Sequence, residues 1–154
     1  MAVEVGAAAS NVCDAGIPID GKSRLDLIPS EFATELRGLA VDGELPPLWE
    51  NDDLRDVIPD LRLRKRLARE LEPMPIAVYE APISVPETGN VGTHAFLKFT
   101  DFYDRSYERA KALGRCRREL DGTHFHAINE PDEVVDTLLE LADATLRQRE
   151  LPET

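Results

Sequence analysis

Cysteine is scarce. Cys13 and Cys116 are the chain's two, too few for a disulfide framework and too isolated for a zinc site. Both read as small apolar core residues. No run of apolar residues approaches the ~20 needed to cross a bilayer. The stretch from Met1 to Cys13 carries acidic Glu4 and no basic region, which makes a poor signal peptide. Cations are outnumbered: 18 Lys and Arg stand against 30 Asp and Glu, a formal charge of −12. A surface of that sign repels phosphates and argues against a general nucleic-acid binder. No internal repeat or low-complexity tract occurs. A soluble, cytoplasmic chain is expected, with neither nucleic acid nor membrane as partner.

What is present fits a folded protein. The 154 residues suit a single domain, 1–154, and 42 % of them are apolar, too many for a disordered acidic tail. A chain of this length can bury about two-thirds of its unfolded surface. The run Ala8-Ala9-Ser10-Asn11-Val12-Cys13 predicts a short buried strand that turns at Gly16 and Pro18. Ser30 to Leu36 reads as a capped helix with acid in its first turn. Pro59-Asp60 opens another, with Leu63, Leu67 and Leu71 on one stripe. Its other face carries Arg62, Arg64, Lys65, Arg66 and Arg69 without interleaved aromatics, so it reads as solvated rather than as a nucleic-acid patch. The prolines between Ile76 and Val85 predict extended chain.

From residue 94 the pattern changes. His94 to Phe99 is strand-like, Asp104 to Leu113 helix-like with Gly114 as its stop, and Cys116 to Leu120 strand-like again. Pro131, Asp132 and Glu133 open a long amphipathic helix expected to bury Val135, Leu138, Leu139 and Ala142. Strand, helix, strand, helix with short connections is the pattern of a parallel sheet. The expected fold is therefore α/β, about three parallel strands at 1–18 and 74–154, with a helical insertion at 19–73.

The segment Leu120-Asp121-Gly122-Thr123-His124-Phe125-His126-Ala127-Ile128-Asn129-Glu130-Pro131 resembles the end of the last core strand of an α/β-hydrolase, where a Gly-x-His-Phe motif precedes an acid, a proline and the final helix. Asp14-Ala15-Gly16-Ile17-Pro18 resembles the end of that family's sixth strand, and Leu45-Pro46-Pro47-Leu48-Trp49 resembles a cap-region loop. Phe96-Leu97-Lys98-Phe99 followed by Tyr103 is similar to its seventh strand. The resemblance covers nearly the whole chain but only the family's C-terminal half, and it implies that 19–73 is a cap-like insertion. It also implies an ester or amide hydrolase.

A loop leaving the carboxyl edge of a parallel strand points its side chains into a ligand crevice, where a neutral imidazole can take a proton from a nucleophile and return it to a leaving group. In that family the triad runs nucleophile, acid, histidine, so the resemblance implies His124 as its third member. The acid is expected after the preceding strand, at Asp101 or Asp104; Asp104 fits a plain helix cap equally, and Asp101 a solvated turn. No Gly-x-Ser-x-Gly occurs, and Ser10, Ser23, Ser30, Ser84 and Ser106 lack the glycines of a nucleophile elbow. The oxyanion-hole loop is likewise missing, so the chain is expected to be inactive alone. His124, His126 and Asp121 lack a further strong ligand, so no metal is expected, and no cofactor. The expected partners are a small-molecule ester or amide, and either a second copy or a complementing N-terminal-half chain. The alternative is a non-catalytic module that assembles through an exposed sheet edge.

Overall fold

A computed structural model describes residues 10–49, 52–86 and 94–150, the side chains of 149 and 150 aside. The chain divides into two compact units: residues 1–17 with 87–154, and residues 18–86. In the first unit, strand β1 (Ser10–Cys13), β4 (His94–Lys98) and β5 (Cys116–Glu119) form a sheet of order β1-β4-β5. Both pairings are parallel, with Ser10 opposite His94 and Ala95 opposite Cys116. β1 falls within the strand expected at the N-terminal end, whose residues before Ser10 lie outside the described ones.

β4 is the middle strand, and Ala95 through Phe99 are all buried. A strand covered on both faces carries apolar side chains on each, as Ala95, Phe96 and Leu97 do, with Lys98 the buried charged exception. On one face Ala95, Leu97 and Phe99 pack against Val134 and Leu141 of helix α6 (Pro131–Glu150), which follows the single-turn helix α5 (His126–Asn129). On the other, Phe96 packs with Ile17 and with Ala110 of helix α4 (Asp104–Ala112). Gly114 ends α4 at φ 68, and the Arg115 N–H reaches back to the Ala110 carbonyl at 3.0 Å, the closure a left-handed C′ residue permits.

The buried stripe of α6 differs from the expected one. Val134 and Leu141 are buried and Leu138 partly so, whereas Val135 and Leu139 are exposed. The seam therefore runs one residue earlier, at i, i+4 and i+7 from Val134.

The second unit holds helix α1 (Ser30–Leu39), strand β2 (Glu44–Leu45), a 3₁₀ turn at Asp53–Arg55, helix α2 (Leu61–Glu70), strand β3 (Met74–Pro75) and helix α3 (Ala77–Glu80). β2 and β3 pair antiparallel. Asp42 and Gly43, at φ 52 and 84, make the tight turn before β2, as Asp-Gly does where both central residues need positive φ. Residues 74–86 belong with this unit and not with the sheet. Tyr79 accepts from the Leu25 N–H, Lys22 from the Ile83 N–H, and Gly43 from the Ile76 N–H. The second compact unit spans 18–86, against the insertion at 19–73 that the sequence suggests, and α3 lies where extended chain is expected. Asp60 caps α2, accepting from the Leu63 N–H at 2.7 Å. Arg64 leaves the solvated face: it is buried, and its Nη1 donates to the carbonyls of Arg55 and Ile58 at 3.3 and 3.1 Å.

Candidate active site

The carboxyl ends of β1, β4 and β5 bring together three stretches of chain. Asp14 is the first residue past β1. Its φ of 39 lies in the left-handed region that aspartate tolerates better than most residues, and its N–H donates to the Leu97 carbonyl at 2.7 Å. That conformation turns the side chain across the tip of β4. There the Phe99 and Thr100 N–H groups donate to Oδ1 at 2.8 and 3.0 Å, and the Thr100 hydroxyl reaches Oδ2 at 3.2 Å.

The loop after β5 supplies the fourth partner. His124 Nδ1 lies 2.8 Å from Asp14 Oδ2. The carboxylate is 2 % exposed and the imidazole 43 %, so the acid is buried while the base reaches solvent. Burial alone would raise the Asp14 carboxyl. The hydrogen bonds from His124, Phe99 and Thr100 outweigh it and hold the group below its ordinary value. An ionised carboxylate can only accept. Nδ1 therefore carries the proton, and Nε2 of the neutral ring is left with the lone pair. The Tyr103 ring stacks on the imidazole, centroids 5.7 Å apart and planes 28° apart.

The two carboxylates that the sequence puts forward as partners of His124 stand elsewhere. Asp104 and Asp101 lie 2.5 and 3.6 Å from Lys98 Nζ, joined there by Glu119 at 2.8 Å. Lys98 is nearly buried, and the carboxylates of Asp104 and Glu119 raise its pKa. They are committed to a cation on the α4 side of β4. The acid at the imidazole is Asp14, which the sequence marks solely as the end of a strand. β1 and β4 are adjacent and parallel, so either tip can offer an acid to the β5 loop, and sequence order alone favours the nearer one. A polar residue closing an apolar strand ahead of Gly16 is the signal that could have singled it out.

Two other groups near the pair, Cys13 and His126, are held in structural roles. Burial and the neighbouring Asp14 charge push the Cys13 thiol up to about 11, which leaves it protonated and weakly nucleophilic at neutral pH. His126 is buried and its Nε2–H donates to Glu133 at 2.9 Å. Among the described residues no group of three or more His, Cys, Asp or Glu side chains could hold a metal, and no helix is long and apolar enough to cross a membrane.

No protein-family model and no curated protein sequence matches the chain. Among solved structures it is similar to an extracellular α/β-hydrolase from a Paenibacillus species, described as sharing structural and functional homology with tobacco salicylic acid binding protein 2. The TM-score is 0.67 at 16 % identity, over 87 % of this chain and 61 % of that one. A three-stranded parallel sheet, helices on its two faces and this likeness together establish an α/β-hydrolase-like fold.

Proposed function

We propose that this chain carries the acid–histidine part of a hydrolase site for esters or amides, with His124 as general base and acid and Asp14 as the group that orients it. The observation that carries the reading is the 2.8 Å contact between an exposed imidazole and a buried, amide-held carboxylate at the carboxyl edge of a parallel sheet. An ionised acid on Nδ1 fixes the ring's tautomer and stabilises the imidazolium that forms when Nε2 takes a proton. The nucleophile must then come from outside this sequence, which has no Gly-x-Ser-x-Gly, and we assign it to a complementing N-terminal-half chain. On this reading the chain corresponds to the C-terminal half of the fold and works in the cytoplasm, which fractionation of expressing cells would check.

The test is turnover of p-nitrophenyl acetate by the purified chain, alone and mixed with an N-terminal half that bears a nucleophile elbow. The mixture should hydrolyse the ester at least tenfold faster than equimolar imidazole. His124→Ala and Asp14→Asn should each abolish that gain. A gain that survives His124→Ala refutes the assignment. The absence of the elbow favours a second reading, a non-catalytic module that binds a small carboxylate or ester at the same edge. The neighbour's description makes salicylate the first ligand to titrate. Saturable salicylate binding without turnover in any mixture would establish that reading.

A further inference from the structure

We propose that His126 is a positioning residue, and that its buried ring sets the geometry of the Asp14–His124 pair. The inference rests on the reading of that pair as functional. The His126 side chain is 11 % exposed and meets three parts of the first unit at once. Nε2–H donates to Glu133 Oε2 at 2.9 Å, in the first turn of α6. The ring stands edge-on to Phe99, centroids 5.1 Å apart. Nδ1 lies so close beneath Gly122 that a Cβ there would come within 2.5 Å of it.

These contacts connect the two supports of the pair. Gly122 lies two residues before His124 in the loop after β5, and the Phe99 N–H is one of the donors that hold Asp14. One rigid ring therefore braces the loop bearing the base and the strand end cradling the acid, with Glu133 fixing its rotation. The His126 N–H also donates to the Thr123 carbonyl at 2.9 Å, closing the loop around His124. A merely space-filling histidine would fill the volume without governing where the neighbouring imidazole points. A pair that needs a 2.8 Å contact does not tolerate a loop displaced by 1 Å.

The test is nitrogen-15 and proton NMR of the full chain without substrate. Wild-type His124 should show a single tautomer with the proton on Nδ1, and that proton should exchange slowly with water. In His126→Ala the tautomer preference should be lost and exchange should accelerate at least tenfold. His126→Gln, which can still donate to Glu133, should restore most of the protection. Glu133→Gln removes a half-exposed charge and leaves packing untouched; exchange should rise at least threefold. A folded His126→Ala that keeps the wild-type tautomer and exchange overturns the proposal. If His126→Ala does not fold, unchanged exchange in Glu133→Gln overturns it equally. Because these signals need neither ester nor nucleophile, they can fail while the hydrolase reading stands, and hold while it falls.

Discussion

Asp14 combines three costly features in one residue: a left-handed backbone, near-complete burial and a negative charge. Each alone opposes folding, and such strain persists where surrounding contacts over-determine it. Here the contacts are the Phe99 and Thr100 donors and the His124 imidazole. Asp14→Asn keeps the shape but removes the charge that makes these bonds strong. It should cost about 1–3 kcal/mol at neutral pH, measured by chemical denaturation. The pH dependence follows from the direction of the shift. A carboxyl held below its ordinary value in the folded state stabilises the fold above that ordinary value. The stabilisation fades as pH falls through the depressed folded value. Wild type and Asp14→Asn should thus differ most near neutrality and converge in acid. A difference that grows on acidification would contradict the assignment of the charge.

Gly122 is the residue on which the loop's path depends. A methyl group there would meet the His126 ring at 2.5 Å, a contact that forces either the ring or the loop to move. Because Phe99 and Glu133 confine the ring, the loop should yield. Gly122→Ala should therefore cost about 1–3 kcal/mol and loosen the Asp14–His124 contact, seen as lost protection of the Nδ1 proton. The same substitution at Gly38, in the last turn of α1 where nothing lies within 4 Å, should be neutral or mildly stabilising, by up to about 1 kcal/mol.

At the scale of elements, α6 offers a sharper comparison. Leu141 is 1 % exposed and Leu139 62 %, two residues apart on one helix. Leu141→Ala should cost about 2–5 kcal/mol, and Leu139→Ala should stay within about 0.5 kcal/mol. Equal costs in thermal denaturation would show that the exposed face is covered in solution. The stripe also marks what could be read in advance. Apolar runs, the Gly114 stop and the proline start of α6 were enough to place the three parallel strands and both covering helices. The phase of α6 was not legible, since Val134-Val135 and Leu138-Leu139 are adjacent apolar pairs that fit either face. The α3 turn was hidden by prolines that mark extended chain. In the site, the position of His124 was legible from a motif. Its partner was not, because the pairing depends on β1 and β4 lying side by side across an insertion of 18–86. Nor could Arg64 be told from its solvated neighbours, as its burial follows from two carbonyls nine and six residues upstream.

At the scale of the whole molecule, the sheet has two outer strands that differ in what they invite. β5 reads Cys116-Arg117-Arg118-Glu119, and charge on an edge discourages pairing with another chain. Gln148 of α6 also donates to the Gly114 carbonyl beside it at 3.1 Å. β1 reads Ser10-Asn11-Val12-Cys13, without a charge, and among the described residues it pairs with β4 alone. The Asp14 N–H points to Leu97, so by strand alternation the N–H groups of Asn11 and Cys13 point away from β4. We therefore expect association, with a second copy or a complementing half, to run through β1. The formal charge of −12 opposes bringing two copies together, and salt screens that repulsion over a Debye length of about 8 Å at physiological strength. Self-association measured by sedimentation should then strengthen, not weaken, as salt is raised. Asn11→Pro removes an outward N–H without touching the β1–β4 ladder, and it should weaken association at least fivefold. Wild-type chain that stays monomeric at about 100 µM in high salt, or associates equally well with proline at position 11, would show that β1 is not the edge through which this molecule finds its partner.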